Sequence, residues 1–288
     1  MILVYQMAKV ASRSWVEAVK PTAAQNSETT HHVHFAMPHN RERMRAALAA
    51  PGGRQTIANT LMPKSMQRKS LEVSEDIEIA RRDGKTIRVV TGMRDPVARS
   101  ISWLFFMADF YGHVSRPLNP RAPMTSDYVI GALQSIWQSI YERGEPKETF
   151  EWYAWFLTGA FRTWFDDELN MSLGIDVRAT PFPAGIGAQR LTNPGVDVLV
   201  YRVEDMTPSA PAYGALLATA ESFLQTPLPA LPSVNTSATR RTRELYETVR
   251  QEMYLPPHLL DAIYSEPIVR HFYSADEIAA FKSRWSGR

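Results

Sequence analysis

Short apolar runs alternate with longer amphipathic stretches along the chain, and the pattern predicts strands and helices in alternation. Ile2 to Met7 is a compact apolar run rich in β-formers and reads as a buried strand. A loop of small and polar residues follows from Ala8 to Ser14. A helix then begins at Trp15 and is expected to stop at Pro21. Thr29 to Phe35 reads as a second strand, and Glu42 to Ala50 as a helix halted by Pro51-Gly52-Gly53. Thr86 to Thr91 is the next clear strand. After Gly92-Met93-Arg94, Asp95-Pro96 opens a helix over Val97 to Phe110, because Asp caps well and Pro suits the first helical position. Further helices are expected over Tyr128 to Glu142, Phe150 to Leu169, Ala210 to Leu224 and Arg243 to Tyr254, with a strand over Val196 to Val203. Ser274-Ala-Asp-Glu277 has the form of a capping box before a final helix.

This order argues an α/β fold with a central parallel sheet flanked by helices. The helical block over about residues 103–170 is too long for a simple crossover and reads as an insertion. A second helical segment occupies about residues 238–288. One domain over residues 1–288 is the expected organisation.

Composition adds exclusions. With 32 basic against 30 acidic residues the net charge is +2, so nucleic acid is not expected as the main partner. The chain has no cysteine, which removes disulfides, thiolate metal sites and a cysteine nucleophile. No apolar run reaches the length of a membrane span, and the N-terminus lacks a signal-peptide layout. A soluble, cytoplasmic protein is the expectation.

Three segments carry candidate chemistry. Lys9-Val10-Ala11-Ser12-Arg13-Ser14-Trp15 joins a strand to a helix, where free backbone N–H groups and the helix dipole favour phosphate. Its lysine stands at the start of the loop and no glycine is present, unlike a Walker A loop. Arg94 to Ser102 makes a second strand-to-helix turn, with Arg94 at the strand's carboxyl end, where open α/β sheets bind ligands. Two such turns on one sheet suit a ligand with phosphates at two positions. The third segment is His31-His32-Val33-His34. His32 and His34 share one side of a strand. They read as a general base or a substrate contact rather than a metal pair, since no third ligand is evident nearby. A histidine satisfied by hydrogen bonds at a strand end is the plainer alternative.

Other clusters read more blandly. Asp166-Asp167-Glu168 is a solvated helix end, and Trp152, Trp155 and Trp164 are core. Arg240 and Arg241, with Arg243, read as a solvated helix start, with closure over a 3′-phosphate as the alternative.

Tyr5-Gln-Met-Ala-Lys9-Val-Ala-Ser12-Arg-Ser14 resembles the first phosphate loop of sulfotransferases that use PAPS (3′-phosphoadenosine 5′-phosphosulfate). The bacterial capsular polysaccharide synthesis family is the nearest in pattern. The resemblance extends to Arg94-Asp-Pro-Val-Ala-Arg-Ser-Ile-Ser102, Trp164-Phe-Asp-Asp-Glu-Leu169, Gly174-Ile-Asp-Val177, Tyr201-Arg-Val-Glu-Asp205, and His271-Phe-Tyr-Ser274 with Trp285. It implies a P-loop-like sulfotransferase fold and transfer of sulfuryl from PAPS to a hydroxyl of a carbohydrate or small metabolite, as in polysaccharide biosynthesis. The product nucleotide would be PAP. Lys9 would steady the leaving oxygen, and Val10 to Trp15 would hold the 5′ end. Arg94 and Ser102 would hold the 3′-phosphate. His32-Val-His34 is similar to the His-x-His segment of 2-O-sulfotransferases acting on uronic-acid glycans, with His34 as base and His32 assisting. No metal is implied. Where the family carries glycine this chain has Ala11, and Arg13 replaces a small hydroxyl residue. Another nucleotide-dependent phosphotransferase, or a non-catalytic nucleotide- or glycan-binding relative, are the competing readings.

Overall fold

A computed structural model describes residues 1–40, 42, 64–111, 125–145, 149–228, 230–231 and 242–287. In chain order the described elements begin β1 (Ile2–Tyr5), α1 (Ser12–Gln25), β2 (Thr30–Val33), α2 (Lys64–Arg82) and β3 (Ile87–Met93). Then come α3 (Pro96–Tyr111), α4 (Ser126–Gln138), α5 (Thr149–Gly159), the short α6 (Met171–Leu173), β4 (Ala188–Asn193) and β5 (Val196–Arg202). The chain closes with α7 (Tyr213–Leu224), α8 (Arg243–Glu252), α9 (Pro257–Ser265), α10 (Pro267–Phe272) and α11 (Ala275–Trp285). The expected helix over residues 42–50 lies outside the described residues, apart from Glu42.

The chain divides into two compact units. The first comprises Met1–Glu42, Pro63–Arg94 and Thr163–Val234, and holds the whole sheet. Its five strands run in the order β2-β1-β3-β5-β4. β2, β1, β3 and β5 are mutually parallel, and β4 pairs antiparallel with β5. Every residue of β1 and β5 is buried, as expected of strands covered on both faces. Ile2, Val4, Leu199 and Tyr201 face α1 and α7 in one core with Trp15, Val19, Leu216 and Phe223. The alternate residue Tyr5 points the other way, to Trp164 and Glu168.

The structure corrects several expectations. Pro21 does not end α1, which runs on to Gln25 with the proline inside. The buried residues Thr22 and Ala23 continue the stripe begun by Trp15, Ala18 and Val19, so packing outweighs the lost hydrogen bond. β4 is an additional edge strand, half exposed and polar, joined to β5 by Pro194-Gly195 with Gly195 at φ 73°. α2 is also additional. It buries Val73, Ile77 and Ala80 along one stripe of a highly charged helix.

The second unit comprises Arg43–Met62, Asp95–Arg162 and Asn235–Arg288, and its regular elements among the described residues are all helical. Asp95 caps α3 as the sequence predicts, its carboxylate accepting the Val97 N–H at 3.1 Å. That carboxylate is buried, and also accepts from the Tyr264 hydroxyl at 2.6 Å and the Trp285 indole N–H at 2.9 Å. Arg99 is buried and donates to the carbonyls of Leu157 and Thr158 in the last turn of α5. A guanidinium there answers the negative end of the helix dipole. The expected long helix over residues 150–169 is interrupted: α5 gives way to a single 3₁₀ turn, and a π turn spans Phe165–Asn170 in the first unit. Ser274 and Glu277 form the predicted capping box of α11. No helix among the described residues is long and apolar enough to cross a membrane.

Candidate functional site

The candidate site lies at the carboxyl end of β1 and β2, in the first unit. Beyond Tyr5 the backbone turns through Ala8 to Ala11 and enters α1 at Ser12. Lys9 and Ala11 both adopt left-handed conformations, φ 71° and 62°, while Val10 between them does not. Left-handed backbone at a non-glycine residue costs about 1–3 kcal/mol and persists only where surroundings enforce it. Ala11 thus takes the conformation that glycine would adopt freely. Alternating handedness turns successive N–H groups toward one concave point, an arrangement suited to an anion.

Ala11 is the N-cap of α1 and has no side chain to satisfy the helix's first N–H groups. The first helical turn closes only at Trp15, whose N–H meets the Ala11 carbonyl. No acidic residue stands in that turn. Of the predicted loop residues, Val10, Ser14 and Trp15 are buried. Ser12 is half-buried and Arg13 exposed.

The two histidines stand beside this loop. The His32 and His34 rings meet edge to face, centroids 4.7 Å apart. The Nδ1 of His34 lies 2.7 Å from the Gln6 carbonyl oxygen. A carbonyl can only accept, so Nδ1 carries the proton and the ring's lone pair resides on Nε2. Burial lowers the pKa of His34, and the nearby charges of Lys9 and Lys69 lower it further against the opposing Gln6 hydrogen bond. His32 is pushed down to about 3, first by burial and then by His34, Lys69 and Arg13. Both rings are therefore neutral at pH 7. The charged side chains bearing on them, Lys9, Arg13 and Lys69, are all cations.

Arg94 brings the second turn to the first. It lies one residue beyond β3, and its Nη1 donates to the Lys9 carbonyl at 3.3 Å. Ser102, on α3, belongs to the second unit and is buried. Arg240 and Arg241 lie outside the described residues. No group of three His, Asp or Glu side chains suited to a metal ion occurs among the described residues.

Sequence reasoning missed two contributors. Lys69 sits in the polar stretch of α2, and only that helix's packing against β2 relates it to the histidines. Glu168, expected to be solvated, is completely buried. Its carboxylate accepts from the Ala36 and Met37 N–H groups at 2.8 and 3.0 Å, from Asn40 Nδ2 at 2.6 Å, and from the Tyr5 hydroxyl. One π turn earlier, Trp164 Nε1 donates to the His34 carbonyl at 2.8 Å. Together they clamp the backbone that follows β2 and so fix where the histidines stand. Comparison with protein-family models, curated proteins and solved structures returned no match to this chain.

Proposed function

We propose that the chain is a PAPS-dependent sulfotransferase acting on a hydroxyl of a carbohydrate or small metabolite. The observation that carries this reading is the pairing of a strained, uncapped loop with a neutral histidine beside it. His34 is held by Gln6 with Nε2 as its lone pair, next to Lys9 of the loop. A phosphosulfate needs an anion cradle; an acceptor hydroxyl needs a base that is unprotonated at neutral pH. Both stand together in the first unit.

In this reading the loop N–H groups and Lys9 hold the 5′-phosphosulfate. His34 Nε2 takes the proton from the acceptor hydroxyl as its oxygen forms a bond to sulfur. The bond from sulfur to the bridging phosphate oxygen breaks, and the electron pair leaves with PAP. Lys9 stabilises the charge on that oxygen. Arg94, tied to the Lys9 carbonyl, is available to a second phosphate. His32, its ring edge to face with that of His34, assists in seating the acceptor.

A phosphotransferase is the second reading, and the glycine-free loop with its lysine at the start speaks against it. The deciding experiment is thermal denaturation with PAP compared with ATP and Mg²⁺. Selective stabilisation by PAP supports sulfuryl transfer, and selective stabilisation by ATP overturns it. A His34→Ala variant separates enzyme from binder: PAP affinity stays within about threefold while turnover falls about 10²-fold or more.

A further inference from the structure

We propose that Tyr201 is a positioning residue: its phenol, reaching from β5, holds the Lys9–Ser12 loop in its anion-receiving form. The ligand named below rests on the function proposed above, but the loop geometry does not.

β5 is not the neighbour of β1, because β3 lies between them. To touch the loop, a side chain from β5 must pass over β3. Tyr201 pairs in register with Gly92 of β3, and a Cβ at position 92 would stand only 2.6 Å from the tyrosine ring. Glycine there leaves the ring its path. The ring then packs against Trp15 in the first turn of α1, centroids 4.9 Å apart. Its hydroxyl donates to the Val10 carbonyl and lies 2.7 Å from Gln6 Oε1. Tyr201 is wholly buried, so these contacts are shielded from water.

Val10 sits between the two left-handed residues, and its carbonyl direction decides what the loop displays. The peptide unit is planar and trans, so C=O and the following N–H point oppositely. Drawing the Val10 carbonyl inward to Tyr201 turns the Ala11 N–H outward, away from the core. Without this hold, Lys9 and Ala11 would relax toward negative φ and the N–H groups would cease to converge. Gln6 belongs to the same device. One phenol proton cannot serve two acceptors, and Gln6 Nε2 is buried without a hydrogen-bond partner. Turning the amide over leaves its shape unchanged and produces one chain of donors, from Gln6 to Tyr201 to Val10. The same Gln6 fixes the proton on His34 through its carbonyl, so loop and histidine share one support.

The test removes a single oxygen. Tyr201→Phe should speed amide hydrogen exchange across residues 8–13 by about three- to tenfold, the range one hydrogen bond commands, while β1, β3 and β5 keep their protection. Adding Ala11→Gly, which reaches left-handed backbone without strain, should restore most of that protection. PAP affinity should weaken in the single variant and recover in the double, with thermal denaturation confirming the fold of each. Unchanged exchange in Tyr201→Phe, loosening spread evenly over the sheet, or no recovery with Ala11→Gly would each overturn the proposal. If the wild-type chain binds no PAP, the sulfotransferase reading falls, and the exchange data still decide the role of Tyr201.

Discussion

The indole N–H of Trp164 donates to the backbone carbonyl of His34 at 2.8 Å, joining residues 130 positions apart. The tryptophan is fully buried, packed edge-on against Tyr5 and Phe165. The candidate base is therefore held at both ends, its ring by Gln6 and its carbonyl by Trp164. Trp164→Phe leaves that carbonyl without its donor and should cost about 1–3 kcal/mol in urea unfolding. The His34 ring nitrogen NMR shifts should move with it. Wild-type stability together with unmoved shifts would mean that Trp164 only fills space.

Glu168 concentrates four donors on one buried carboxylate. Its pKa is raised, chiefly by burial, against the lowering effect of those hydrogen bonds. Glu168→Ala strands Tyr5, Asn40 and two backbone N–H groups, and should lose about 3–5 kcal/mol of stability. Glu168→Gln should lose less than half of that, because Asn40 can turn its amide to face the new one. Equal losses in the two variants would show that charge matters and hydrogen bonding does not.

Acid should destabilise the fold through the histidine pair. His32 has an ordinary value of 6.5 when unfolded and about 3 when folded. Between those values the unfolded chain binds a proton that the folded chain refuses, so stability is full above pH 6.5 and falls as pH drops toward 3. His31 and His34 are lowered as well and add to the slope. His32→Gln should flatten, without abolishing, the change in urea midpoint between pH 7.5 and pH 5. An identical slope in variant and wild type would refute the assignment.

In the helical unit, Asp95 caps α3 and receives both Tyr264 and Trp285. Asp95→Ala should cost about 3 kcal/mol, combining a lost cap with two stranded donors. It should also shift the fluorescence of the buried Trp285, alongside any response from other tryptophans. Asp95→Asn should be milder, since its amide oxygen still accepts from Val97 or Tyr264. A loss under 1 kcal/mol in Asp95→Ala would place the stability of α3 elsewhere.

Much of this architecture was legible before any coordinates. Continuous apolar runs marked β1, β3 and β5 because strands covered on both faces need them. Asp95-Pro96 and the Ser274–Glu277 box marked helix starts because capping is a local hydrogen-bond matter. β4 was missed despite its Pro194-Gly195 turn, because an exposed edge strand carries polar residues. α2 was missed because a narrow stripe of Val73, Ile77 and Ala80 is diluted by charge.

The sequence by itself determined the strand-to-helix turn around Lys9–Ser12, though it set the helix start three residues late, and the histidine pair, since such a turn and a two-residue alternation are local properties. It determined too that Arg94 follows directly on a strand. Only the tertiary structure decided that Ala11 is left-handed, that Gln6 sets the His34 tautomer, and that Glu168 is buried rather than solvated. It alone placed Lys69 with the histidines and Tyr201 under the loop. Those relationships join residues far apart in the chain, and their energies depend on burial and on direction. Neither quantity is written in the order of residues; both arise when the sheet brings its strand ends together.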